Sequence, residues 1–393
     1  MTTATLDATG ALLEVYKRSG PVFTVGEGCR LIAEDGTRYL DFTAGIAVNA
    51  LGYGSSVIAD AIREALDAGL VHTSNLFHTR PAAELAEWLV ERSFADRVFF
   101  CNSGAEANEA AFKFARRWAR EQGGEQKTEI VAFHGSFHGR TMGALAATDR
   151  PAYQEPFRPL MPGVRFGEIG DVQGADRLIR RDRTAAVIVE PIQAEGGVLP
   201  VPPAFLKALR YLCDEAGALL IYDEVQVGLG RTGTLWAHEQ AGVTPHLMTV
   251  AKPLAGGLPM GAVLMTDEVA QAIHPGDHAT TFGGGPLVAS AALATVKTIG
   301  APAFLEEVQR KGHLLANLLQ RLVLDHPSIR AIRGAGLIWG IEIDGAAGEV
   351  AARAMEAGLL VCSAGPNVVR VVPPLVIGDD ELAEGVEILN EVL

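Results

Sequence analysis

Cysteine is scarce in the 393-residue chain: Cys29, Cys101, Cys213 and Cys362 stand far apart, with no CxxC pair and no His/Cys ligand spacing. That argues against a disulfide framework and against a metal site, and makes a reducing cytoplasm the expected setting. Basic charge is short as well. The 33 Lys and Arg face 47 Asp and Glu, a formal net charge of −14, so no nucleic-acid partner is expected, because phosphate backbones need clustered Lys and Arg. The one basic run, residues 177–183, reads as a solvated helix face. Long apolar runs are missing too. None approaches the roughly 20 residues that span a bilayer, so no membrane partner is expected, and residues 1–7 lack the basic and apolar blocks of a secretion leader. Neither G-x-G-x-x-G after the first strand nor G-x-x-x-x-G-K-[ST] occurs, which removes the usual nucleotide signatures.

What is present is core material. Hydrophobic residues make up 48% of the chain, with 44 glycines, and the length suggests more than one domain. Strand-like and helix-like segments alternate from about residue 95 to 265. Short apolar runs at 98–101, 130–133, 186–189 and 219–222 read as strands, and Ala107, Ala111, Phe114 and Trp118 share one helix face. That is the pattern of a doubly wound α/β domain with a mostly parallel central sheet. The first fifty residues carry turn signals suited to a small antiparallel sheet. The expected division is 1–50 as an N-terminal segment of a small α+β domain, 51–284 as the large domain, and 285–393 as the rest of the small domain.

Chemistry concentrates at two strand ends. Leu247-Met248-Thr249-Val250-Ala251-Lys252 is apolar up to its lysine and opens onto Pro253-Leu254-Ala255-Gly256-Gly257, while Asp223 ends a second apolar run. Continuously apolar runs belong to buried parallel strands, so the amine and the carboxylate would face one crevice. Each alone is compatible with a surface charge or a turn cap. Together they suit an amine that attacks a carbonyl, the aldehyde of pyridoxal 5'-phosphate (PLP) above all, with the aspartate on the pyridinium nitrogen. Asn102-Ser103-Gly104-Ala105 joins a strand to a helix whose first amides can hold a phosphate, or Ser103 is simply a cap. Phe137 can stack on a ring and Arg140 clamp a carboxylate, or the two are core packing and a surface ion pair, and His138 makes an ordinary hydrogen bond. After Asp223, Val225 can pack against a planar heterocycle and Gln226 bond its hydroxyl.

These segments, with Glu190-Pro191-Ile192-Gln193 and Thr280-Thr281-Phe282-Gly283-Gly284 in the same order, resemble the class III PLP-dependent aminotransferases of PLP fold type I. Within that family the likeness is to the acetylornithine aminotransferases, through Ala44-Gly45-Ile46-Ala47-Val48-Asn49, His72-Thr73-Ser74-Asn75 and Asn367-Val368-Val369-Arg370. The resemblance implies that Lys252 bonds the cofactor aldehyde and Asp223 its pyridine nitrogen. It further implies that Phe137 and Val225 sandwich the ring, Gln226 lies near the 3'-hydroxyl, and Ser103, Gly104 and Ala105 lie at the phosphate. Thr281 would reach the phosphate of a neighbouring subunit, which implies a homodimer. Arg140 and Arg370 would be carboxylate clamps, with Glu195 pairing to Arg370 until a dicarboxylate arrives. The implied reaction moves the δ-amino group of N-acetylornithine to 2-oxoglutarate; succinylornithine, ornithine, a carrier-linked lysine precursor and 4-aminobutyrate are alternative donors. The chain departs from the family's usual pattern at Pro253, Gly285 and Gly54-Ser55-Ser56, none of which removes a catalytic group.

Overall fold

A computed structural model describes residues 12–16, 18 and 20–393; residues 1–7, discussed above for the lack of a leader, lie outside them. Seven strands form the central sheet: β1 (Arg97–Cys101), β2 (Glu129–Phe133), β3 (Val164–Gly167), β4 (Thr184–Val189), β5 (Leu219–Asp223), β6 (Leu247–Val250) and β7 (Gly261–Met265). Their order across the sheet is β1-β7-β6-β5-β4-β2-β3. Only β7 runs antiparallel to its neighbours; the other pairs are parallel. β3 and β7 were not among the strands expected from sequence. β3 is short and half-buried at the sheet edge, and β7 follows a glycine- and proline-rich turn that masks its apolar run.

The middle strands are apolar throughout because both faces are covered. Ala186, Ile188, Leu219 and Ile221 pack under helix α1 (Gly104–Gly123) with Ala107, Ala111, Phe114 and Trp118. The alternate residues Val187, Val189, Leu220 and Tyr222 face Phe205, Leu206, Leu209 and Cys213 of the helix Pro203–Ala216. Each such fully buried side chain contributes roughly 1.5–3 kcal/mol relative to exposure, so the strand ends that carry Asp223 and Lys252 are held by the best-packed part of the molecule. Gly217, at φ +58, ends the second helix in the left-handed conformation and turns the chain directly into β5.

Two four-stranded sheets and a two-stranded ladder, Ile192–Gln193 with Leu199–Pro200, accompany the central sheet. Phe23–Glu27, Arg30–Ala33 and Arg38–Asp41 form an antiparallel ladder that takes Leu359–Leu360 as a parallel fourth strand. Ile329–Ala335, Ile338–Ile343, Val368–Val371 and Cys362–Ser363 form the other, all antiparallel. The basic run departs from the helix face expected of it. The helix Val172–Leu178 contains only Arg177 of the run and ends one residue after it, and Arg180 and Arg183 follow outside the helix, paired with Asp182. Among the described residues no single helix is long and apolar enough to cross a membrane.

Candidate active site

The carboxyl ends of the parallel strands open into a cleft of about 430 Å³, where α/β sheets of this kind bind ligands. Ser103, Gly104, Ala105, Phe137, Arg140, Asp223, Val225, Gln226 and Lys252 all line it. Each arrives by a local device. Ser103, in extended conformation after β1, caps α1 by accepting from the Glu106 amide at 3.2 Å, and Glu106 accepts from the Asn102 amide at 2.6 Å. The capped helix presents the amides of Gly104 and Ala105, which have no intrahelical partner, with the positive end of the helix dipole. Glycine at 104 is a packing requirement, because a Cβ there would lie 2.6 Å from Val225 Cγ1.

Lys252 is not itself in a strand. β6 stops at Val250, and the lysine opens a short 3-10 turn, Lys252–Ala255, with φ +24. A non-glycine residue there is strained, and strain of this kind persists where surrounding packing imposes it. Burial disfavours the ammonium, Glu195 favours it and Arg370 opposes it; the net result is a pKa lowered to about 8.

Asp223 is 4% exposed and fully engaged. Its Oδ2 accepts from Asn108 Nδ2 and pairs with His138 Nδ1, both at 2.8 Å, and its Oδ1 accepts from the Val225 amide at 3.0 Å. Asn108 is in turn fixed by donating to the His138 carbonyl at 2.7 Å and accepting from Thr249 Oγ1 at 2.8 Å. His138 is therefore more than an ordinary hydrogen-bonding residue: it orients the carboxylate. Asn108, Thr249 and Glu190 stood within segments notable in the sequence but carried no expected role of their own. A polar Asn on the alanine-rich buried face of α1 was the available signal. Glu190 sits in the cleft wall, accepting from the Phe137 amide at 2.9 Å; burial, then the Asp223 charge, push its carboxyl well above the usual range.

Glu195 and Arg370 do not line the cleft; they stand behind Gln226. Arg370 Nη1 donates to Glu195 Oε1 at 2.5 Å, Gln226 Oε1 at 3.1 Å and the Ala194 carbonyl at 3.3 Å, while Gln226 Nε2 donates to Glu195 Oε1 at 3.1 Å. Burial alone would raise the Glu195 carboxyl, but Arg370 and Lys252 outweigh it and hold it below its usual range. Arg140 is exposed at the cleft, its guanidinium 3.4 Å from the centroid of the Tyr153 ring. Thr281 lies elsewhere, in a separate hollow with residues 72–75 and 77–79. The two loops there are tied by Asn75 Nδ2, which donates to the carbonyls of Thr280 and Gly283 at 2.9 and 3.0 Å.

The family model "Aminotransferase class-III" matches residues 16–393. The chain belongs to the class III aminotransferases. Among its relatives is the mitochondrial acetylornithine aminotransferase of Alnus glutinosa, 52% identical over 99% of this chain and 87% of that protein. The N-acetylornithine aminotransferase of Stenotrophomonas maltophilia K279a superposes with a TM-score of 0.83 at 38% identity, covering 96% of each chain. The ornithine aminotransferase of Toxoplasma gondii, described with partial occupancy of PLP at its active site, gives 0.91 at 30% identity over 96% of this chain and 92% of that one. As a class III aminotransferase this protein is a PLP enzyme, and the cleft fits that group. A half-buried lysine with a lowered pKa stands in the same cavity as a fully oriented carboxylate, an aromatic face, and a helix N-terminus able to take a phosphate.

Proposed function

We propose that the protein transfers the δ-amino group of N-acetylornithine to 2-oxoglutarate, giving N-acetylglutamate 5-semialdehyde and glutamate, a step of arginine biosynthesis. The observation that carries the reading is the convergence of Lys252, Asp223, Phe137, Val225 and the α1 N-terminus on one cleft, with Arg140 at its wall and a closed Glu195–Arg370 pair behind Gln226. The likeness to acetylornithine aminotransferases selects the donor.

When bound, PLP supplies an aldehyde that captures amines and a ring that takes up the electron pair left when a substrate C–H proton departs. The chain's residues do the rest. Ser103, Gly104 and Ala105 would hold the phosphate, Phe137 and Val225 the ring faces, and Gln226 the ring hydroxyl. Asp223, held by Asn108, His138 and the Val225 amide, would keep a proton on the ring nitrogen. Lys252 Nζ would bond the cofactor aldehyde at rest and, as a free amine, would take the proton from the substrate δ-carbon as a general base and later return it as an acid. The burial that lowers its pKa in the cofactor-free protein favours the neutral amine that this role needs. Arg140 holds the donor's carboxylate while Glu195 occupies Arg370; when the dicarboxylate enters, Glu195 yields Arg370 to the second carboxylate. Breaking a buried pair is costly unless the newcomer replaces the lost partner, which restricts opening to acceptors with that charge.

Thr281 belongs to the same proposal through a homodimer. It lies outside its own chain's cleft, and the loops around it expose Leu76 (87%), Phe77 (70%) and Phe282 (67%), a patch suited to a partner surface. A cytoplasmic location and the division at residues 51–284 and 285–393, with 1–50 joining the small domain, complete the reading. An absorption spectrum before and after N-acetylornithine, with no oxo acid present, tests it. The yellow cofactor band should bleach; a yellow protein that does not bleach sends the assignment to another ω-amine. A donor panel against 2-oxoglutarate ranks the alternatives, and the choice fails if another donor is favoured by more than about tenfold in kcat/KM, roughly 1.4 kcal/mol.

A further inference from the structure

Arg370 is 1% exposed, and its guanidinium is held from two sides of unlike chemistry. Nη1 takes every oxygen acceptor: Glu195, Gln226 and the Ala194 carbonyl. Nε and Nη2 both donate to a single atom, Cys362 Sγ, at 3.4 Å each. The sulfur stands there by register, because Cys362 is the cross-strand partner of Arg370 in the antiparallel ladder Cys362–Ser363 against Val368–Val371. A thiol sulfur is a weak acceptor. A carboxylate in that place would compete with the substrate for the charge, and a methyl group would leave two buried N–H groups unpaired.

We infer that Cys362 is a positioning residue for the acceptor's carboxylate, a step that rests on the proposed opening of the Glu195–Arg370 pair. When Glu195 leaves, Nη1 loses its shortest and only charged acceptor but keeps Gln226 Oε1 and the Ala194 carbonyl, while Nε and Nη2 keep the two contacts to sulfur. The sulfur holds the opposite edge of the guanidinium, so its plane stays set and the place vacated by Glu195 meets the dicarboxylate with Nη1 already oriented. In the donor half-reaction Arg370 remains paired with Glu195, and the sulfur contributes little. The two half-reactions thus depend on Cys362 to different degrees.

The test compares wild type, Cys362→Ala and Cys362→Ser as folded, cofactor-loaded enzyme. The donor half-reaction is followed with N-acetylornithine on the PLP form, and the acceptor half-reaction with 2-oxoglutarate on enzyme loaded with pyridoxamine phosphate. Calorimetric binding of glutarate, an unreactive dicarboxylate, gives a reading independent of turnover. In Cys362→Ala the 2-oxoglutarate concentration for half-maximal rate should rise, and glutarate affinity fall, by about tenfold, the scale of a lost hydrogen bond to a charged group. The maximal acceptor rate and the donor half-reaction should change far less, and Cys362→Ser, whose hydroxyl accepts the same N–H groups, should recover most of the loss. Equal losses in both half-reactions, no loss in either, or a serine variant no better than alanine would each overturn the assignment. If wild type fails to bleach with N-acetylornithine, the donor assignment falls, and Cys362 is judged by the same comparison using the ω-amine that does bleach.

Discussion

In the cofactor-free protein Lys252 should lose its proton near pH 8. Burial is the main cause, and Glu195 works against it. For an ordinary lysine of pKa 10.5, about 0.03% is free amine at pH 7; at a pKa of about 8 the fraction is about 9%, a gain of roughly 300-fold in the nucleophile. The sign of one perturbation follows directly. Glu195 carries negative charge and favours the ammonium, so Glu195→Gln should lower the midpoint further, below 8. Apoenzyme whose lysines carry ¹³C-methyl groups would be titrated by NMR, with Lys252→Ala identifying the signal. A wild-type midpoint at the ordinary value of about 10.4, or an upward move in Glu195→Gln, would refute the account of the site's electrostatics.

Other outcomes follow from single contacts. Lys252→Ala should still bind PLP, weakly, but lose multiple turnover; full activity in that variant contradicts the role given to the lysine. Gly104→Ala drives a Cβ to 2.6 Å from Val225 Cγ1, an overpacking cost of about 1–3 kcal/mol, and PLP titration should show affinity reduced by about tenfold or more. Val225→Ala in the same chain should recover part of that loss. Asn108→Ala leaves a buried Asp223 oxygen and the Thr249 hydroxyl short of a partner, at about 1–3 kcal/mol; an unchanged denaturation midpoint would show that the network contributes nothing. Tyr153→Leu removes the ring under Arg140, a cation–π contact of about 0.5–2 kcal/mol. The donor KM should rise by a few-fold while Tyr153→Phe stays near wild type.

Apolar patterning alone announced β1, β2, β4, β5 and β6 and the buried face of α1, because strands covered on both faces must be apolar at every position. Those same runs pointed to Asp223 and Lys252, since a charge that ends a buried strand has only the crevice to face. The strands that patterning missed were β3, too short and too exposed at its edge, and β7, masked by the glycine- and proline-rich turn before it; its antiparallel direction, besides, is set by neighbours remote in the chain. Residue type at a position could not show that Asn108, His138 and Thr249 lock Asp223, since those contacts join α1, the segment after β2, β5 and β6 only after the sheet has closed. Nor could it place Cys362 against Arg370, a matter of register between two strands. The strained backbone at Lys252, the lowered pKa of its amine and the withdrawal of Arg370 behind Gln226 are likewise products of packing. Which chemical groups the site contains follows from the identity and order of the residues alone. Tertiary structure decided their protonation, orientation and partners, because burial and distance between remote segments exist only in the folded chain.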